Sequence, residues 1–138
     1  MIGCSNIKFN AQLFDSSRDW IKEDFINDNL VDNLEDSKYP TERVFIVKNE
    51  EEYDKIFKEN ADNCDINFDA QMLIVYTFIT IYHRNNSLVS LEAVEDVLTI
   101  TYKMEKKSGV GDASIPYQRW FVVRLDMLSV DSVVFVEK

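Results

Sequence analysis

The hydrophobic pattern of this chain predicts a sheet built around one strand that is apolar on both faces. Nearly every residue from 72 to 82 (MLIVYTFITIY) is β-branched or aromatic, which is typical of a strand covered on two sides. Alternating positions or short apolar runs predict five further strands, at residues 43–48, 88–94, 97–104, 119–125 and 133–136. Only Glu95 and Asp96 separate two of these strands, so we predict a hairpin there.

Two stretches carry apolar residues at helical spacing. The first runs from residue 17 to about residue 29, and its apolar face consists of Trp20, Ile21, Phe25 and Ile26. The second begins after Asn49, whose side chain can cap it, and Glu52 occupies the third helical position of a capping box. Residues 30–41 between the two are rich in Asp, Asn and Ser, which compete with regular structure, so we predict a connecting loop.

Together these elements predict an α+β fold, with an antiparallel or mixed sheet of about six strands and two helices packed on one face. A chain of 138 residues is long enough to bury a core of its own. We therefore assign residues 17–138 to a single domain. Residues 1–16 are predicted to be an N-terminal leader or arm, because apolar residues alternate with polar ones from Ile7 to Leu13, as in a half-buried strand or a docked extended segment.

Acidic residues are concentrated in the first half of the chain. Residues 15–69 contain 17 Asp and Glu against 7 Lys and Arg, and the net charge of the whole chain is −10. Phosphate backbones and anionic bilayers attract basic proteins, so we expect no nucleic-acid partner and no direct electrostatic binding to a membrane. The simplest interpretation of the charge is a solvated acidic surface.

The two cysteines call for separate explanations. Gly3 directly precedes Cys4 in the sequence MIGCSN, as at the end of a bacterial lipoprotein signal, so Cys4 is a candidate lipidation site and a plain N-terminal thiol is the alternative. A lipid there would hold the protein on the extracytoplasmic face of the cell envelope and would be its membrane attachment; a cytoplasmic location is the alternative. Cys64 lies among Asn and Asp residues without a nearby histidine, so we predict no metal site around it.

Residues 106–120 (KKSGVGDASIPYQRW) predict a shaped binding loop. The chain has only three glycines and two prolines, and two of the glycines and one proline fall together in this segment. The segment closes on Tyr117, Arg119 and Trp120, residue types that often anchor interfaces, and we expect Tyr117 and Arg119 to be exposed. The binding residues assigned on this basis are Gly109, Gly111, Asp112, Pro116, Tyr117 and Arg119.

Three patterns that resemble catalytic or metal sites lack part of what their chemistry requires. Residues 65–69 (DINFD) space oxygen ligands as an EF-hand does, but Ala70 stands where glycine is required. Gly109 and Gly111 form a G-x-G pattern, but the segment leads to a strand and not to the helix that a phosphate loop needs. His83 is the only histidine, and no pattern around it marks a catalytic relay. We therefore predict no catalytic residue, no metal and no cofactor.

Part of the chain resembles the PrcB-type C-terminal domain, a family named for a bacterial protein that stabilises a protease complex. The similarity covers the strand that begins at Val44, residues 48–57 (KNEEEYDKIF), residues 65–68 (DINF) and residues 114–117 (SIPY). It implies an accessory, protein-binding role. The family's Thr-Gly-Gly-Tyr turn would fall near residues 82–86, where this chain reads YHRNN without a glycine, so no ligand role is carried over to that turn. The whole chain also looks like lipoproteins of Gram-positive bacteria, which implies a surface location.

The sequence thus favours a binding or accessory module of the bacterial cell envelope that uses residues 108–119 to contact a protein or envelope partner, and an enzyme is not expected. Two alternatives stay open. One is a small hydrolytic or lyase enzyme that uses Asp112, His83 or scattered carboxylates. The other is a structural envelope protein without a dedicated site.

Overall fold

A computed structural model describes residues 11–15, 17–30, 42–59, 66–80, 85–105 and 117–138 of the chain. Within these ranges it contains seven strands, a 3₁₀ helix at Arg18–Trp20 and two α-helices. The strands are β1 (Gln12–Phe14), β2 (Glu42–Val47), β3 (Gln71–Thr80), β4 (Asn86–Val94), β5 (Val97–Met104), β6 (Tyr117–Asp126) and β7 (Ser132–Glu137). The helices are α1 (Glu23–Asp28) and α2 (Glu50–Ile56).

The strands form two sheets. One has four strands in the order β1-β6-β3-β2 and is antiparallel throughout. The other has three strands in the order β4-β5-β7, with β4 antiparallel and β7 parallel to β5. Because β1 lies beside β4 and β2 lies beside β7, the two sheets approach each other at both edges.

β3 and β6 are buried on both faces and form the middle layer of the fold. Tyr76 on β3 pairs with Phe121 on β6, and both side chains face the three-stranded sheet. The next pair along, Val75 and Val122, faces the helices. The uninterrupted apolar run of the sequence is therefore explained, because each face of β3 meets a different layer.

Five aromatic rings fill the space between the two sheets: Tyr76, Phe78, Tyr102, Phe121 and Phe135. Tyr76 stacks on Phe135 with ring centroids 4.0 Å apart and an interplanar angle of 10°. Tyr102 meets Phe121 edge-on at 5.5 Å. Pairs of this kind contribute about 0.5–1.5 kcal/mol each beyond the burial of their surface, so the rings fix how the two sheets pack.

The helix layer is held on the other face of the four-stranded sheet. α2 begins with the predicted cap, because Asn49 Oδ1 accepts a hydrogen bond from the amide of Glu52 at 2.8 Å. Glu52 Oε1 accepts one from the amide of Lys48 at 2.8 Å, whereas a capping box would use the amide of Asn49. Phe57, just after the helix, is buried in one cluster with Trp120 of β6. The prediction that both helices lie on one face is confirmed.

The predicted helix over residues 17–29 is interrupted at Ile21. This fully buried residue forms an antiparallel bridge with Phe57. The amide of Lys22 donates to the carbonyl of Ile56 at 2.9 Å, and the amide of Lys58 donates to that of Trp20 at 2.7 Å. These long-range bonds hold the backbone extended and leave a 3₁₀ turn before Ile21 and α1 after it.

Neither α-helix of the described ranges has the length and the apolar character that a membrane-spanning helix requires.

The α+β class is confirmed, but the strands divide between two sheets instead of forming one. The strands of the smaller sheet bury alternate residues, so they need cover on one face only, and the four-stranded sheet supplies it. The structure has one strand more than the six predicted. This strand is β1, which comes from the predicted arm, and its Leu13 pairs with Val123 on β6. Residues 12–14 are therefore part of the folded sheet.

Candidate functional site

Strand ends of both sheets converge at one end of the fold, which we call the loop end. We define it by Asp15, which directly follows β1, and by the terminal strand residues Glu42, Thr80, Asn86, Met104 and Tyr117. The register requires this arrangement, because Tyr117 pairs with Thr80 and Asn86 pairs with Met104. Segments 31–41, 81–84 and 106–116 lie outside the described residues, and the strands to which they connect begin or end here. The loop end is thus where three connecting segments meet the scaffold.

Asp15 links three strands at the loop end. Its Oδ2 lies 2.9 Å from Arg119 Nη2 and also accepts a hydrogen bond from the amide of Asn86 at 2.9 Å. Its Oδ1 accepts one from Asn86 Nδ2 at 2.9 Å. The Asp15 and Arg119 side chains are only 16% and 14% exposed. Charge-assisted bonds that are shielded from solvent are stronger than those at an open surface, so Asp15 holds β1, β4 and β6 together.

Asn86 brings a buried acceptor to the same place. Its Nδ2 bond to Asp15 fixes the orientation of the amide. Within the part of the chain that the structure describes, its Oδ1 is a buried side-chain oxygen without a hydrogen-bond donor. Buried polar atoms are nearly always paired, so this oxygen marks a position where a donor group would be stabilised.

Three tyrosines near the loop end hold their protons tightly. Burial, together with the hydrogen bond that its hydroxyl donates to Glu42, raises the pKa of Tyr76 far above its usual range. Burial raises the pKa of Tyr102 to about 12. The pKa of Tyr117 is also raised by burial, while Arg119 acts in the opposite direction. All three phenols are therefore neutral near pH 7 and serve as hydrogen-bonding groups, not as bases.

The structure brings together two of the six predicted binding residues. Tyr117 and Arg119 start β6 at the loop end and lie on its inward side, the side that carries Phe121. Arg119 is not the exposed side chain that the sequence predicts, because it is paired with Asp15. Tyr117 is half-buried. The remaining predicted site residues lie outside the described ranges: Gly109, Gly111, Asp112 and Pro116, together with the lipidation candidate Cys4 and with His83.

Sequence reasoning missed Asp15 and Asn86. An aspartate shortly before a predicted helix is typical of a helix cap, but Asp15 makes no cap here, and the local side-chain bond is that of Ser17, whose Oγ donates to the carbonyl of Phe14 at 2.8 Å. The partners of Asp15 lie 71 and 104 residues further along the chain. No local pattern signals contacts of that span. Asp65 of the EF-hand-like pattern lies outside the described ranges, and Asn67 Oδ1 makes a turn before β3 by accepting the amide of Asp69 at 3.0 Å.

Comparison with known proteins adds no relative. No protein-family model, no curated protein and no solved structure matches the chain. The resemblance to the PrcB-type domain therefore stays a prediction.

Among the residues that the structure describes, no group of three or more His, Cys, Asp or Glu side chains is placed to hold a metal ion.

Proposed function

We propose that this protein is a binding or accessory module of the bacterial cell envelope and that its loop end contacts a protein partner. The observation that carries the proposal is the convergence of Tyr117 and Arg119 with the strand ends that flank three connecting segments. Loops presented at one end of a rigid pair of sheets are a common way to build a binding surface. The glycine- and proline-containing segment 106–116, which the sequence predicts to be a binding loop, connects β5 to β6 at this end.

The polar groups of the loop end support binding more than catalysis. Arg119 is held by Asp15, and Asp15 is held by Asn86, so these groups fix strand positions. Half-buried Tyr117 offers a hydroxyl group and part of a ring face, which suit the recognition of a partner's polar and apolar groups. A rigid scaffold also lowers the entropy cost of binding.

The envelope part of the proposal depends on Cys4. A diacylated Cys4 would anchor the domain close to the sheet, because β1 begins at Gln12 and pairs with β6. Cells that express the wild-type protein or its Cys4→Ser variant are labelled with a fatty-acid analogue and then separated into membrane and soluble fractions. Label and membrane association that depend on Cys4 support the anchor, whereas unlabelled wild-type protein contradicts it.

The binding proposal is tested by site-specific photo-crosslinking. In one protein a photoreactive phenylalanine analogue replaces Tyr117 at the loop end. In the matched control the same analogue replaces Val94, which is 59% exposed at the opposite end of the sheets. Each protein is irradiated with detergent-solubilised envelope from the bacterium that encodes it. A partner crosslinked at position 117 and not at position 94 supports the proposal. Identical products at both positions, or none at either, would overturn it.

A further inference from the structure

An open groove runs beside α2, on the helix layer and away from the loop end; we call it the α2 groove. It encloses a cavity of about 1140 Å³, and all of its lining residues lie in the acidic half of the chain. Small-molecule sites usually measure about 300–1,000 Å³. The groove is therefore large enough for a segment of polypeptide.

The floor of the α2 groove is aromatic. Tyr53 stacks on the buried ring of Phe57 with centroids 4.6 Å apart and an interplanar angle of 16°. Phe68 meets Tyr53 edge-on at 5.9 Å. Tyr53 and Phe68 are half-buried, so part of each ring faces the groove. Ring faces carry negative electrostatic potential and attract ammonium and guanidinium groups.

The rim of the groove is predominantly acidic. Four exposed carboxylates line it: Glu50, Asp54, Glu59 and Asp69. The two lysines in the lining are directed to backbone carbonyls, since Lys22 Nζ donates to that of Asp54 at 2.5 Å and Lys48 Nζ to that of Val130 at 3.0 Å. The helix cap at Asn49 fixes the start of α2 and so the position of this rim.

We propose that the α2 groove binds a basic segment of a protein partner. The aliphatic stem of a Lys or Arg side chain lies along the rings of Tyr53 and Phe68, and its charged group meets the rim carboxylates. The same charges repel acidic peptides and nucleic acids. This surface is separate from the loop end, so the proposal does not depend on the proposed function.

The test uses a short fluorescein-labelled peptide of alternating arginine and serine, with a peptide of glutamate and serine as the negative probe. Fluorescence anisotropy measures the binding of each to the purified full chain. The Glu50→Gln/Asp54→Asn variant should bind the arginine peptide roughly three- to tenfold more weakly. Tyr53→Leu, which keeps apolar packing on Phe57, should weaken binding by about two- to fivefold.

The matched control is Glu92→Gln/Asp96→Asn, which removes the same amount of charge from exposed positions on the smaller sheet. Circular dichroism confirms that each variant is folded. Unchanged binding in the control, with the losses above, supports the groove. Equal losses in the control and the groove variant, or no saturable binding of the arginine peptide, would overturn it. Displacement by an equal concentration of arginine amide would assign the groove to a small organic cation and also overturn the peptide proposal.

Discussion

Arg119 Nη2 lies 2.9 Å from Asp15 Oδ2, although 104 residues separate the two in the sequence. The pair joins the edge strand of the four-stranded sheet to a strand in its middle, and through Asn86 it reaches the second sheet. The loop end is thus held by charge-assisted bonds, not by apolar packing alone.

Asp15→Asn should destabilise the fold, because it removes the negative charge opposite a shielded guanidinium while keeping the size of the side chain. We expect the free energy of unfolding to fall by about 1–3 kcal/mol in urea denaturation. The control is Arg18→Gln, which breaks the exposed pair of Arg18 and Glu23 at 3.9 Å and should change stability by no more than about 0.5 kcal/mol. Equal effects of the two substitutions would contradict a stabilising role for Asp15.

The stability of the protein should fall at alkaline pH because of the buried tyrosines. In the folded state the pKa of Tyr102 is raised to about 12, whereas in the unfolded chain it is about 10. The unfolded state therefore releases a proton first, so the stabilising effect is complete below about pH 10 and is lost as the pH rises toward the folded pKa. One such group contributes a slope of about 1.4 kcal/mol per pH unit in that window.

Tyr102→Phe should reduce this slope relative to the wild-type protein. Urea denaturation at several pH values between 9 and 12 measures it, and the absorbance of tyrosinate follows ionisation directly. Superimposable pH profiles for the two proteins would show that Tyr102 is not the shifted group.

The aromatic layer between the sheets should contribute strongly to stability. Phe135 of β7 stacks on Tyr76 of β3 and is 7% exposed, so Phe135→Ala should lower the free energy of unfolding by about 3–5 kcal/mol. Its neighbour Val136 is 43% exposed, and Val136→Ala should cost no more than about 0.5 kcal/mol. If the two substitutions had similar effects, β7 would not pack on the larger sheet as described.

The turn between β4 and β5 carries a local strain that glycine should relieve. Glu95 has φ of 55°, in the left-handed region where a side chain clashes with the backbone. Glu95→Gly should raise the free energy of unfolding by about 0.5–1 kcal/mol, after allowing for the extra freedom of glycine in the unfolded chain. Asp96→Gly should not stabilise the protein. Thermal denaturation of both variants measures the difference, and we expect a higher melting temperature for Glu95→Gly only.

Local patterns predicted the individual elements well. The helix cap at Asn49 and the hairpin at Glu95 and Asp96 depend on neighbouring residues, and both form as predicted. The second bond of the predicted capping box differs, since Glu52 accepts the amide of Lys48 and not that of Asn49. The division into two sheets depends on the parallel pairing of β5 with β7, in which Ile100 lies opposite Phe135. Apolar alternation does not specify which strands pair, so the sequence did not predict this division.

Long-range contacts also account for the other differences. The bridge to Phe57 keeps Ile21 out of the predicted helix, even though its spacing is helical. In the candidate site, Tyr117 and Arg119 were identified by residue type and by their position after Pro116. Asp15 and Asn86 were not, because only the fold brings them to Arg119.

Binding of a protein partner by the loop end is tested most directly by affinity capture with the Gly109→Val/Gly111→Val variant. Wild-type protein, this variant and the Glu95→Gly variant from the opposite end are immobilised and incubated with solubilised envelope from the organism that encodes the protein. Retained proteins are quantified by mass spectrometry. We expect the Gly109→Val/Gly111→Val variant to unfold at the same urea concentration as the wild-type protein. We also expect it to lose a partner that the other two proteins retain. Retention of the same partners by all three immobilised proteins would contradict a binding role for the loop end.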